Sequence, residues 1–227
     1  MQITGAQLFV KALQAEQVDT LFAYPGGQAI DLFDALYGAA VPKVILPRHE
    51  QGLVHAADGY ARSTGKTGVC LVTSGPGATN LVTGIATANY DSVPLVCFTG
   101  QVPTGLIGND SFQEVDIVGI TRSITKYAVT VRSREELGSV IKKAFYIAAT
   151  GKPGVVLVDI PKDIQKAMGS DSYPDTMEIR GYRPKPPVHI GQLRKALELL
   201  NRSARPLFLV GGGVNIARAG REMTPLA

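Results

Sequence analysis

"GVCLVTSGPGATNLVTGIATANYDSVPLVCFTG", residues 68–100, decides how the chain folds. Two apolar runs, Gly68–Thr73 and Leu95–Thr99, flank a helical pattern over Ala78–Tyr90. Neither run alternates polar with apolar residues, as a strand with one wet face would. Continuous apolar runs joined through a helix describe strands covered on both faces, hence a parallel sheet. The same unit recurs outward. Strands are predicted at Thr20–Tyr24, Val44–Leu46 and Val155–Ile160, with a further one at Ala128–Val131. Helices are predicted at Ala29–Tyr37, Gly52–Thr64 and Arg134–Ala149. The opening "MQITGAQLFVKALQAEQ" reads as an amphipathic helix. Strand and helix in alternation give βαβ units and an α/β fold with helices on both sheet faces.

This first domain is expected over 1–165. From Gln165 the texture changes: "MGSDSYPDTMEIRGYRPKPPV" (168–188) is rich in proline and lacks periodicity, so 166–187 reads as a linker. "IGQLRKALELLNRS" then predicts a helix and "RPLFLVGGGVN" a strand ending in glycines. Residues 188–227 therefore read as the opening of a second α/β domain whose remainder is absent.

With 227 residues, 45% hydrophobic and 19% charged, the chain can bury a real core. The formal net charge of +4 comes without a Lys/Arg run longer than two residues, which argues against nucleic-acid binding. Cys70 and Cys97 lie inside apolar runs and read as buried free thiols, not a disulfide or a metal site. The N-terminus lacks a signal peptide's basic and apolar regions, and no stretch reaches the ~18 apolar residues of a membrane span. A reducing cytoplasm is the expected setting.

Open α/β sheets bind ligands beyond the carboxyl ends of their strands. The segments in that position are "YPGGQ" (24–28), "PRHEQG" (47–52), "SGPGATN" (74–80), "TGQVPTGLIGNDSFQE" (99–114) and "PKD" (161–163). Four of them carry glycine, which permits close backbone approach; each glycine is also what an ordinary βα turn uses. "GPGATN" lacks the third glycine of a dinucleotide fingerprint and no phosphate-cradling G-x-x-x-x-G-K-[ST] occurs. His49 and His55 flank Glu50 without zinc spacing, and His49 reads as a packed or hydrogen-bonded histidine. Glu50 stands at a helix start, where a carboxylate can simply complement the helix dipole. Its neighbours Leu46, Gly52, Leu53, Ala56 and Ala57 are apolar or small, however, so it is expected to be shielded from water. A buried carboxyl needs a partner or stays protonated, and a cofactor ring nitrogen would serve.

In order along the chain, "YPGG", "RHEQ…AADGYAR…GKTGVCLVTSGPGATN", "FTGQVP", "IGNDSFQE" and "LVDIPKD" resemble the N-terminal part of the catalytic subunit of acetohydroxyacid (acetolactate) synthases. The resemblance runs from residue 1 to about 165, with the domain start near 190 fitting too. It implies a pyrimidine-binding domain of an enzyme that uses thiamine diphosphate, Mg²⁺ and FAD. Glu50 matches the carboxylate that hydrogen-bonds N1′ of the aminopyrimidine, general acid–base catalysis worth ~10²–10⁴-fold. The turn Tyr24, Pro25, Gly26 and Gly27 matches the backbone that approaches the cofactor, and Pro76 and Asn80 belong to the turn near the pyrimidine. Phe112 and Gln113 match a pair beside the substrate and flavin. Lys162 matches a lysine at the site entrance, where a cation would attract an anionic 2-keto acid. Gly212 and Gly213 fall where the second domain approaches FAD.

Two features depart from the pattern. The family's "GRPGP", whose arginine contacts FAD, is here "GKPGV", with Lys152 and Val155. Lysine keeps the charge but loses the planar fork, so weaker flavin affinity is expected. The G-D-G…N motif that holds the diphosphate through Mg²⁺ is absent from these residues. In the family it lies in a later domain, supplied by the partner in a homodimer. The resemblance thus implies half a pocket, inactive alone, with 2-keto acids as substrates and a small regulatory subunit as a further partner. The flavin-free fermentative acetolactate synthases share "PGG", "HEQ" and "TSGPG", but their segment at the position of Phe112–Gln113–Glu114 differs. A third reading is a non-catalytic dimerisation module.

Overall fold

A computed structural model describes residues 1–226. They divide into two units, Met1–Pro184 and a smaller one from Lys185 onward. The larger unit is built on a six-stranded sheet whose strands all run parallel. In chain order its elements are β1 (Gln2–Thr4), α1 (Gly5–Ala15), β2 (Thr20–Ala23), α2 (Ile30–Leu36), β3 (Lys43–Ile45), α3 (Glu50–Thr64) and β4 (Gly68–Val72). There follow α4 (Pro76–Thr79), α5 (Val82–Tyr90), β5 (Leu95–Gln101), α6 (Ile117–Thr121), β6 (Tyr127–Thr130), α7 (Leu137–Ala149), β7 (Val155–Pro161), α8 (Lys162–Lys166) and β8 (Met168–Ser170). The sheet order is β3-β2-β4-β5-β7-β6, and β1 pairs with β8 in a separate antiparallel ribbon.

The strands alternate between two buried faces, as their uninterrupted apolar sequences require. Val69, Leu71, Val96, Phe98, Val156 and Val158 meet α1, α2 and α7. Cys70, Val72, Leu95, Cys97, Val155 and Leu157 meet α3, α5 and α6. Both thiols are free and buried, opposite each other across β4 and β5. Phe98 is the centre of the first face: its ring meets Phe9 edge-on at 4.9 Å and Phe145 at 6.3 Å.

Several boundaries move, each for a local reason. The first helix starts at Gly5, because Thr4 makes a capping box: Gln7 N donates to Thr4 Oγ1 and Thr4 N to Gln7 Oε1. Gln2–Thr4 are released to pair with β8, which lies inside the segment read as a linker. The helix expected over Ala78–Tyr90 begins earlier, at Pro76, a residue suited to a first helical position. It is interrupted where Leu81 N bonds Ala78 O, a tighter turn. Helix α7 begins at Leu137, not Arg134, whose side chain is used elsewhere. Arg134 is buried and donates to the carbonyls of Ile3, Thr4, Ala167 and Ser170, so it pins the β1–β8 ribbon.

The second unit holds α9 (Ile190–Arg202), α10 (Gly212–Ile216) and α11 (Gly220–Leu226). The helix over "IGQLRKALELLNRS" forms with His189 as its cap. The strand expected over "RPLFLVGGGVN" does not: 206–211 is irregular, Leu207 and Leu209 are exposed, and Gly212 opens α10. A strand needs a neighbour to satisfy its backbone, and none is formed within the described residues 185–226.

Truncating the aromatic centre tests this packing. Phe98→Ala should lower the unfolding free energy by ~3–5 kcal/mol, read from urea denaturation. A loss below ~1 kcal/mol would mean the core collapses around the site.

Candidate active site

After β2 the chain moves outward to β3, then returns to form β4 on the other side of β2. The loops leaving β2 and β4 therefore part in opposite directions. A crevice at such a reversal is where open α/β sheets hold ligands. Its floor is Thr73, the first residue past β4 and a buried one. Gln28 N donates to Thr73 Oγ1 at 3.1 Å. A Cβ on Gly26 would lie 2.5 Å from the Thr73 methyl, and one on Gly77 would lie 2.8 Å from it. Only glycine fits at either position. Gly27, next door, faces open space, with nothing within 4 Å of an added Cβ.

Glu50 enters from the third side as the first residue of α3, whose cap is His49: Gln51 N donates to His49 Nδ1 at 3.1 Å. The histidine is thus a structural one. Asn80 Nδ2 donates to Glu50 Oε2 at 3.0 Å, and Oε1 stands 3.3 Å from where a Cβ on Gly77 would be. Glu50 is half-buried, not shielded as its neighbours in sequence imply. The cause is β3, an edge strand whose following residue, Leu46, is 61% exposed. Of the two residues expected near a pyrimidine, Asn80 thus touches Glu50, whereas Pro76 is exposed at the start of α4.

The glycine turn after β2 is held from beneath by α8. Lys162 Nζ donates to Gly27 O at 2.7 Å, and Gln165 Nε2 donates to Gln28 O at 2.8 Å. Gly100 makes this close approach feasible, since its Cβ would lie 2.3 Å from Gln28 O. Tyr24 N continues the sheet by bonding Leu71 O, Pro25 is exposed, and Ala29 N closes the turn on Gly26 O. Lys162, read as an entrance cation, is therefore tied to the backbone of the glycine turn.

The fourth wall is the segment after β5. Gly75 has φ 59°, ψ −125°, and a Cβ there would fall 2.6 Å from Gln113 O. Gln113 itself is left-handed, with φ 60°. The Gln113 backbone thus lies on the Gly75 turn, while the Phe112 ring projects outward, 84% exposed. Behind this segment lies Asp159, an acid inside the apolar run "VVLVDIP". It accepts from Thr99 Oγ1 at 2.6 Å, Gln101 Nε2 at 3.0 Å and Thr130 Oγ1 at 3.2 Å. Burial pushes its carboxyl from the ordinary 3.8 up to about 7; the three donors oppose the rise and Asp116 adds to it.

Residues 3–120, just over half of the chain, match the family described as thiamine pyrophosphate enzyme, N-terminal TPP binding domain. The chain belongs to that family. Its relatives include the acetolactate synthase of Mycobacterium bovis, 48% identical over 226 residues, which cover 100% of this chain and 37% of the relative. The acetolactate synthase large subunit of Haemophilus influenzae is 48% identical over 228 residues, 100% of this chain and 40% of the relative. Acetolactate synthase 3, chloroplastic, of Brassica napus is 49% identical over 212 residues, 92% of this chain and 32% of the relative. The chain spans about two fifths of the length of the first two.

The thiamine pyrophosphate domain thus gathers Gly26, Gly27, Glu50, Asn80, Lys162 and the Gln113 backbone at the carboxyl edge of one sheet. The donor set fits an aminopyrimidine: an oriented carboxylate beside glycine backbone with open space at Gly27. Lys152 is not among them. It lies exposed in the turn entering β7, at the opposite, amino edge of the sheet. Gly212 and Gly213 belong to the other unit, and neither has anything within 4 Å of an added Cβ. Nor do the described residues hold a group of three or more His, Cys, Asp or Glu side chains able to bind a metal. Thr73, Gly77, Gly100, Gln101 and Asp159 were not singled out from sequence. Asp159 alone carried a signal, a charge within a strand otherwise apolar.

Two outcomes are expected. Gly75→Ala should cost at least ~1–3 kcal/mol in thermal unfolding, because an alanine there is both strained and in collision with Gln113 O. For Asp159 the folded form binds the proton more tightly than the unfolded chain. Its stabilising contribution is complete below pH 3.8 and lost as pH rises through about 7. The unfolding free energy of the native chain minus that of Asp159→Asn should therefore fall by about 4 kcal/mol between pH 4 and pH 8. A flat difference would remove Asp159 from its buried setting.

Proposed function

We propose that this chain forms the aminopyrimidine half of the thiamine diphosphate site of an acetolactate synthase. That enzyme joins two pyruvate molecules, or pyruvate and 2-ketobutyrate, with loss of CO₂ in branched-chain amino-acid biosynthesis. The observation that carries the reading is Glu50, a half-buried carboxylate whose Oε2 is oriented by Asn80 beside the Gly77 backbone. The names of the relatives support the reaction class.

When bound, the cofactor supplies a nucleophilic carbon and an electron sink for the acyl group. The chain's own residues do the rest. Glu50 holds a proton at the aminopyrimidine nitrogen N1′, and Asn80 keeps the carboxylate from swinging away. Gly26 and Gly27 let backbone lie against the ring. Lys162, bonded to Gly27 O, places a cation at the entrance, which attracts an anionic 2-keto acid. Phe112 and Gln113 stand on the substrate side.

Mg²⁺, FAD, a homodimer that completes the site, and a cytoplasmic setting belong to the proposal through the resemblance. A small regulatory partner gains support from relatives named as large subunits. No helix is long and apolar enough to cross a membrane among the described residues.

The test is Glu50→Gln in the complete protein, assayed for acetolactate from pyruvate with thiamine diphosphate and Mg²⁺. Turnover should fall ~100-fold or more, the scale of lost acid–base catalysis. An unchanged rate would take the role from Glu50. Flavin absorbance of the purified complete protein tests the FAD part independently; a colourless protein that refuses FAD would overturn it.

A further inference from the structure

Gln101 is the last residue of β5, is 3% exposed, and holds both ends of the segment that carries Phe112 and Gln113. Its Oε1 accepts from Val102 N at 2.9 Å, where the segment leaves the sheet. Its Nε2 donates to Val115 O at 3.0 Å, where the segment returns to enter α6. Both contacts need one orientation of the amide, because rotating it by 180° would oppose donor to donor and acceptor to acceptor. That orientation is enforced by Asp159, whose Oδ2 accepts from the same Nε2 at 3.0 Å. Between the two ends, the Glu114 carboxylate accepts from Gly108 N and Ser111 N, and Thr104 N donates to Asp163 Oδ1. The segment is thus braced within itself and against α8, and its two ends are joined at the base by one side chain.

We propose that Gln101, oriented by Asp159, is a positioning residue that closes the 102–115 segment and so sets where Phe112 and Gln113 stand against the Gly75 turn. It touches no substrate; it acts through the segment. The role rests on the thiamine diphosphate reading only in giving Phe112 and Gln113 their use.

The pair is responsive to pH, with a sign that follows from its surroundings. Asp159 faces Thr99 and Gln101 on β5 and Thr130 on β6, none of them cationic. The titratable group bearing on it is Asp116, which caps α6 by accepting from Gly119 N and is itself acidic. An ionised Asp159 is therefore a buried charge without a counter-ion, and the amide it bonds also holds the chain at Val115. Releasing that chain hydrates it. Protonation favours the closed segment and ionisation favours release. Asn at 159 reproduces the protonated form, since its Oδ1 can accept from Gln101 while its amide donates to the Thr99 hydroxyl.

Hydrogen–deuterium exchange of the 227-residue chain, corrected for intrinsic chemical rates, tests this without any cofactor. Peptides spanning 102–115 should exchange about tenfold faster at pH 8 than at pH 6 in the native chain. In Asp159→Asn they should stay protected at both pH values. In Gln101→Met, which keeps length and removes both contacts, they should be unprotected at both, while strands 68–72 and 155–158 stay protected in every variant. Retained protection in Gln101→Met overturns the clasp. A pH response that is missing from the native chain, or that survives Asp159→Asn, overturns the role of Asp159. If Asp159→Asn fails to fold, Gln101→Met still decides the proposal. Loss of thiamine diphosphate chemistry in the Glu50 test leaves this readout untouched, so the two failures are told apart.

Discussion

Main chain lying directly on the Thr73 side chain is the constraint from which the rest of the site follows. Gly26 and Gly77 approach that threonine from opposite loops, and neither position has room for a side chain. The approach brings the turn after β2 within reach of Lys162 and Gln165, and it brings α4 within reach of Glu50. A single small polar residue past a buried strand thus joins the turn after β2 to the start of α4. The parallel sheet supplies the edge, the reversal of strand order opens it, and glycine lets it close to contact distance.

Two carboxylates near this edge live under opposite rules. Glu50 is half in solvent, with one oxygen oriented by an amide and the other beside backbone. Asp159 is closed in, bound by three neutral donors, and its carboxyl is pushed up to about 7 by burial, with Asp116 adding to the rise. In the proposed function one serves a ligand, while the other serves the protein's own architecture. Sorting acids by their surroundings separates the roles that residue type alone leaves merged.

Much of the sheet was legible because its strands are continuous apolar runs that punctuation by glycine and proline sets apart. Val155–Ile160 and Gly68–Thr73 could hardly be anything else. Glu50 was legible as an acid at a strand-to-helix joint. What stayed hidden depends on the third dimension. β8 has three residues and no pattern, and exists because Arg134 and β1 wait for it. The run "RPLFLVGGGVN" has strand composition but, within its unit, no edge to join. The exposure of Glu50 turns on β3 being an edge strand, which residues 43–50 do not disclose. Gln101 appeared within a motif, yet its hold on Val102 and Val115 needs the loop closed before it can be seen.

The ribbon pinned by Arg134 has a mechanical meaning. Gln2 lies opposite Ser170 and Thr4 opposite Met168, so the two outward-leading ends sit side by side. Tension between Met1 and the chain beyond Ser170 would peel the pairs apart one at a time, as in unzipping, and would not shear them together. The guanidinium, gripping carbonyls on both strands, resists that peeling, together with the Met1–Asp171 contacts at the open end. Under load the ribbon is therefore the fuse, and it yields while the parallel sheet and its ligand edge remain unstrained.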